Sequence, residues 1–199
     1  IANYGIAILL LTLLTKIIFH PLTNKQMKAM NAQKKIQPEL KKLQEKYKDQ
    51  PKKLQEEMMK LWKTHKANPL SGCLPILIQL PFFIAIFYTM RSPSFLALLA
   101  EPGVNPGLLP FWASNLGLPD KTYILPIIVA ATTYFSQKMM TTDPKQAKIF
   151  AFMPILMFFI SMNMPSGVLL YWGASQAMSL VQQYYIINRL NKDENTITV

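Results

Sequence analysis

The sequence predicts an all-α membrane protein, with five transmembrane helices and a cytoplasmic antiparallel helical hairpin between the first two. Three observations predict it. Of the 199 residues, 51% are hydrophobic, with 12 Met and 11 Phe, and they gather into apolar blocks instead of spreading through one core. Thirteen of the 21 Lys and Arg residues lie between residues 23 and 68, where apolar residues recur at helical spacing. The other basic residues stand near the ends of apolar blocks, the bias of loops on the cytoplasmic side of a membrane. A net charge of +11 taken alone would point to nucleic acid, but the partition of that charge points to a bilayer.

The apolar blocks are roughly 3–20, 74–90, 123–140, 149–162 and 167–187, read as one domain over 1–199. Crossing the hydrocarbon core takes about 20 helical residues, about 17 at the least. The fourth block is shorter and contains Pro154, which implies local bilayer thinning or protection by neighbouring helices. Pro75, Pro81 and Pro126 also fall within blocks, where a helix bundle can satisfy the carbonyls they free. The chain opens directly in apolar sequence without a leader signature, so an upstream leader or domain is expected.

Orientation follows from the basic residues. The 23–68 block has thirteen, residues 91–121 have Arg91 and Lys121, and the next link has Lys138, Lys145 and Lys148. Asn163–Gly167 has none, and the tail has Arg189 and Lys192. Positive-inside ordering puts 23–68, 138–148 and the C-terminus in the cytoplasm and the N-terminus outside.

Within 23–68, Ile36, Leu40, Leu43 and Tyr47 step by four, three and four, and so do Leu54, Met58, Leu61 and His65. Each set lies on one helix face. The KDQP turn separates them, with Pro51 suited to a helix start, so the two stripes zip a hairpin together. Pro38 is expected to break or restart the first arm. Thirteen lysines against Glu39, Glu45, Asp49, Glu56 and Glu57 leave a surplus that suits anionic lipids or the RNA-rich ribosome surface. Residues 91–121 form an outer connection with a short helix at FLALL, and Phe111 and Trp112 suit the membrane interface.

The chemistry is sparse. Cys73 is the single cysteine, so it has no disulfide partner within the chain, and a buried inert thiol is expected. His20 and His65 have no ligand-spaced partners for a metal. No Ser–His–Asp set, HExxH, P-loop or acid within a span is present. An enzyme and a cofactor are therefore not expected.

One residue stands out. Lys16 lies inside TLLTKIIFHPLT, residues 12–23. Two placements compete for it: its stem reaches the nearby cytoplasmic interface, or its ammonium faces a wet, protein-lined cavity. Thr12 shares its face one turn earlier. Gln79 lies in the second block, and Thr132, Thr133, Ser136 and Gln137 end the third. In the fifth, Trp172, Gln176, Ser179 and Gln183 step by four, three and four, with Ser175 and Gln182 beside them. Such residues also serve as ordinary interhelical hydrogen bonders, but a stripe this long beside a charged helix favours a hydrated groove.

The run TLLTKIIFHPLT, the stretch QPELKKLQEKYKDQPKKLQEEMMKLWKTHKANPLSGCLPILIQLPFFIAIFY, then FSQKMM, TDPKQAKIFAFMPILMFF, PSGVLLYW and VQQYYI resemble, in order and spacing, the conserved core of the YidC/Oxa/Alb family of membrane protein insertases. The resemblance covers about residues 2–190. It implies five spans around a groove open to cytoplasm and lipid and closed on the outer side, in a bacterial cytoplasmic membrane. It implies nascent membrane proteins as partners, with the ribosome at the hairpin, and leaves work beside the Sec translocon open. Lys16 stands where the family's groove arginine is usual, which keeps the charge but loses bidentate geometry. Thr12 and Trp172 match groove positions, and Gln137, Ser175 and Gln176 are carried over with them; Ser179 joins from the stripe. The rival reading, a small-solute transporter or channel subunit, predicts an internal repeat or a continuous polar path, and the sequence has no repeat.

Overall fold

A computed structural model describes residues 3–65, 74–109, 112–140 and 144–197, the side chains of 74–76, 140, 144–150 and 190–197 excepted. Cys73 and Phe111 lie outside the described residues. Among them the chain is all helical: α1 (Tyr4–Lys46), α2 (Pro51–Thr64), α3 (Leu74–Arg91), α4 (Pro93–Leu99), α5 (Ile124–Met140), α6 (Pro144–Ser161) and α7 (Ser166–Ile197). α7 packs most extensively against α1 and α5, and α5 also packs along α6.

α1 starts at Asn3, whose side-chain oxygen accepts from the Ile6 N–H at 3.0 Å, satisfying one of the unpaired donors of a helix start. Its 43 residues extend about 65 Å at 1.5 Å per residue, about twice the thickness of a hydrocarbon core. The helix runs unbroken through Pro21 and Pro38, so the expected break at Pro38 does not occur. A mid-helix proline removes one backbone bond and frees the carbonyl four residues earlier. Pro38 is exposed, so the solvent side can absorb the disturbance.

The two halves of α1 differ. Leu10, Leu13, Leu14, Ile17 and Ile18 are all exposed, a surface that only lipid or another apolar body makes tolerable. Further on, Ile36 and Leu40 are buried against Met58, Leu61 and Trp62 of α2. α2 therefore folds back antiparallel on α1 across the turn at residues 47–50. His65, expected within the zipped stripe, is instead exposed, with Nε2 3.5 Å from the Glu39 carboxylate. Tyr47 carries the ammonium groups of Lys46 and Lys53 at 5.3 and 5.4 Å from its ring centre.

By length and composition α1 is long and apolar enough to cross a membrane, and Leu77–Arg91 taken together with α4, the two bent by 64° at Ser92, passes the same test. α5 has 17 residues, about 26 Å of helix at 1.5 Å each. The apolar part of α6, Ala151–Ser161, is shorter still. Phe152, Ile155 and Phe159 on α6, and Ile127, Tyr134 and Phe135 on α5, are exposed. Apolar side chains are thus exposed on several helices.

The main core joins Ile8, Met90, Leu116, Leu125, Val129 and Val168–Tyr171. It is capped by the connection at residues 100–123. Ser166 N and Gly167 N at the start of α7 donate to Leu118 O at 2.8 Å and Leu116 O at 2.9 Å, using donors that a helix start leaves free. The Ser166 hydroxyl donates to Asn115 O at 2.9 Å. A Cβ on Gly5 would stand 2.6 Å from Leu108 Cα, and one on Gly107 2.2 Å from Ala113 O. Only glycine permits these approaches. Trp112, expected at the membrane interface, is partly buried and packs against the core.

Candidate functional site

The polar groups among these apolar helices form a seam where α1, α3 and α7 meet. Lys16 is flanked by exposed Leu13, Leu14, Ile17 and Ile18, yet its own side chain turns inward. Its Nζ donates to Ser179 Oγ on α7 at 2.7 Å. An ammonium has three donors, and among the described residues this is the one bond Lys16 makes, with no carboxylate paired to it.

Ser179 in turn donates to the Ser175 carbonyl at 2.9 Å. Ser175 is buried, and its hydroxyl lies 3.5 Å from Gln79 Oε1 on α3. Gln79 Nε2 donates to the Tyr171 hydroxyl at 2.7 Å. Tyr171, Ser175 and Ser179 are each four residues apart and share one face of α7.

The other expected residues are placed as follows. Thr12, at 0% exposure, is enclosed, and its hydroxyl donates to Ile8 O at 2.7 Å. Trp172 is half-buried, edge-on to Phe83 with ring centres 5.1 Å apart. Gln176 turns to α5, donating to Thr133 Oγ1 at 2.8 Å. Gln137 is half-buried on α5, one turn beyond Thr133 on the same face. Gln183 is buried with Oε1 unpartnered among the described residues, beside a small cavity that Asn31 and Lys34 also line.

His20, not foreseen as part of this seam, continues it. Its ring nitrogens lie 2.6 Å from Gln182 Nε2 and 3.0 Å from Asn24 Nδ2. Its position one turn after Lys16 was the signal available in sequence. Further along α1, Lys34 donates to the Met139 carbonyl at the C-terminal end of α5, where a cation is favoured. Burial pushes the Lys34 pKa down.

The arrangement offers one cation with spare donors, amides and hydroxyls in an apolar setting. It can hold an anionic or polar group by charge and hydrogen bonding. Among the described residues, no group of three or more His, Cys, Asp or Glu could hold a metal ion.

An all-helical chain that exposes apolar side chains on several helices and turns a cation inward onto a polar seam has the makeup of an integral membrane protein. The chain belongs to the 60Kd inner membrane protein family, whose model matches residues 1–194. It is 42% identical over 191 residues to "Membrane protein insertase YidC" of Fusobacterium nucleatum, covering 95% of this chain and 88% of that one. It is 40% identical over 193 residues to the protein of the same description from Magnetococcus marinus, covering 96% of this chain and 33% of that one. The chain thus spans about a third of the length of several of the relatives it matches. Among solved structures it is similar to one described as an active YidC insertase crystal structure with the first transmembrane domain resolved. The TM-score is 0.74 at 30% identity, over 92% of this chain and 42% of that one.

Proposed function

We propose that the protein is a membrane protein insertase. It receives nascent membrane proteins in a hydrophilic groove open to cytoplasm and lipid, and releases their apolar segments into the bilayer without nucleotide hydrolysis. The observation that carries this reading is the Lys16–Ser179 bond, which turns a cation inward from an otherwise apolar helix surface, in a chain of this family.

A polar or acidic client segment that must cross the hydrocarbon meets Lys16 and the hydroxyls and amides of Ser175, Gln176, Ser179 and Gln137. Trp172 offers an amphipathic surface beside them, and Thr12 packs the helix on which Lys16 stands. The low dielectric strengthens the attraction to Lys16. The client's apolar segment then partitions into lipid at about 25 cal/mol per Å² of apolar surface removed from water. That release drives the process. Short helices such as α5 and α6 reduce the thickness to be crossed.

In this reading five spans cross a bacterial cytoplasmic membrane, with the N-terminus outside and the hairpin of α1 and α2 in the cytoplasm. The close approach of Gly5 to Leu108 and of Gly167 to Leu116 in the outer connection supports a groove closed on the outer side. The lysine-rich hairpin receives the ribosome and anionic lipid headgroups, and the protein works alone or beside the Sec translocon. Purified protein in liposomes tests the function. An insertase inserts a small single- or double-spanning protein without ATP and keeps a trapped solute inside. A channel subunit releases the solute and inserts nothing.

A further inference from the structure

We propose that Gln79 and Tyr171 are positioning residues for Lys16: their hydrogen bond fixes the turn of α7 on which the Lys16 ammonium rests. The inference rests on the insertase reading and assigns two residues to the same site.

Gln79 is an amide on an apolar helix, between exposed Leu77 and Leu80. In such a setting an unpaired amide is costly. Its Nε2 finds the hydroxyl of Tyr171 at 2.7 Å, and Tyr171 is itself buried in the main core. Its Oε1 faces the Ser175 hydroxyl at 3.5 Å, the longest step of the series. From there the path runs through the helix turn, since the Ser175 carbonyl accepts from Ser179 Oγ and Ser179 Oγ accepts from Lys16. The amide on α3 is thus tied to the cation on α1 through a single face of α7.

Two consequences follow. Ser179 Oγ donates one way and accepts the other, so the direction of the lysine bond depends on the Ser175 carbonyl staying in place. Linked bonds of this kind also polarise one another in a low dielectric. Removing the Gln79 amide leaves the Ser175 hydroxyl without its cross-helix partner and frees α3 from this turn. The ammonium then loses its fixed approach to an incoming acidic segment, while its charge is kept. An ordinary interhelical hydrogen bond between Gln79 and Tyr171 would affect every client alike, so client charge separates the two roles.

The test uses the protein in proteoliposomes with two client series, one carrying acidic translocated tails and one carrying neutral tails of equal length. Insertion rate is read by protease protection. Gln79→Leu keeps the volume and removes the amide, and Tyr171→Phe removes only the hydroxyl. Each is expected to slow acidic clients about threefold to tenfold, the factor one side-chain hydrogen bond is worth, and to leave neutral clients within about twofold. In a Lys16→Ala background neither change should slow acidic clients further, because the group being positioned is gone. Equal slowing of both series overturns the inference and makes the pair a plain packing contact, as does no slowing while Lys16→Ala still discriminates by charge. If Lys16→Ala itself shows no preference, the insertase reading of Lys16 fails, and this inference with it.

Discussion

The Lys16 ammonium and the Ser179 hydroxyl meet at 2.7 Å across 163 residues of sequence. The lysine lies on a helix whose exposed neighbours Leu13, Leu14, Ile17 and Ile18 are all apolar, and the serine lies on the polar stripe of the last helix. The Lys16 side chain is thus turned toward α7. A cation held this way keeps two donors unspent, and in the proposed function these receive an acidic client segment.

A photocrosslinker distinguishes the faces of α7. Placed at Trp172 or Gln176 it should capture a stalled nascent membrane protein, whereas at Val181, 72% exposed, it should capture lipid. Equal client capture at all three positions would contradict a one-sided groove and favour a continuous path.

The hairpin depends on a small contact set, so it should be sensitive to single truncations. Ile36 is buried against Met58, Leu61 and Trp62. Ile36→Ala should destabilise the α1–α2 contact by about 2–5 kcal/mol, the usual range for a buried large-to-small change. Protease cleavage near the turn at residues 47–50 should accelerate accordingly. If cleavage is unchanged, the two arms are not held by this cluster.

Asp120 ties the outer connection to α5. It is 5% exposed and accepts from the Thr122 hydroxyl at 2.6 Å, the Thr122 N–H at 2.9 Å and the Leu125 N–H at 2.8 Å. Burial alone would raise its pKa, but these donors outweigh it and hold it below the ordinary 3.8. Because the folded value is depressed, the stabilisation is complete above the ordinary value and disappears as pH falls through the lowered one. Asp120→Ala should cost about 0.5–2 kcal/mol at neutral pH, as loss of a helix-start acceptor does. Thermal unfolding of both proteins from pH 7 to pH 3 should show the gap narrowing in acid, and a constant gap would mean that the carboxylate charge plays no part.

The outer cap has a steric prediction. A Cβ at residue 107 would lie 2.2 Å from the Ala113 carbonyl oxygen, so the loop must move. Gly107→Ala should destabilise the protein by about 1–3 kcal/mol, typical of overpacking, with thermal melting as the readout. An unchanged melting point would mean that the loop has room this packing denies it.

Much of this was legible in the sequence, and what was not has identifiable causes. Apolar stepping located the contact of Ile36 and Leu40 with Met58 and Leu61, because one helix face is a local property. Trp62 was missed since it lies one residue off the stripe, and its size lets it reach the same cluster. The missing N–H of Pro38 predicts a break, but the penalty of one lost bond is small beside the packing and solvation that keep α1 helical through it. Lys16 and the Ser179 stripe were each visible, while their pairing was not, nor was that of Gln79 with Tyr171. Contacts between helices depend on how the bundle rotates each one, and no local pattern encodes that rotation. Thr12 shows the same limit: its spacing put it on the lysine's face, and only packing reveals that it is enclosed.

The most direct measurement compares wild-type, Lys16→Arg and Lys16→Ala proteins, at equal protein levels, in the insertion of a client with an acidic translocated tail, scored by protease protection of that tail. Lys16→Arg is expected to retain insertion because it keeps the charge. Lys16→Ala is expected to lose about tenfold or more, the cost of removing one partner from a desolvated charge contact. Equal insertion by all three would contradict the account and leave Lys16 as a lysine that merely reaches the interface.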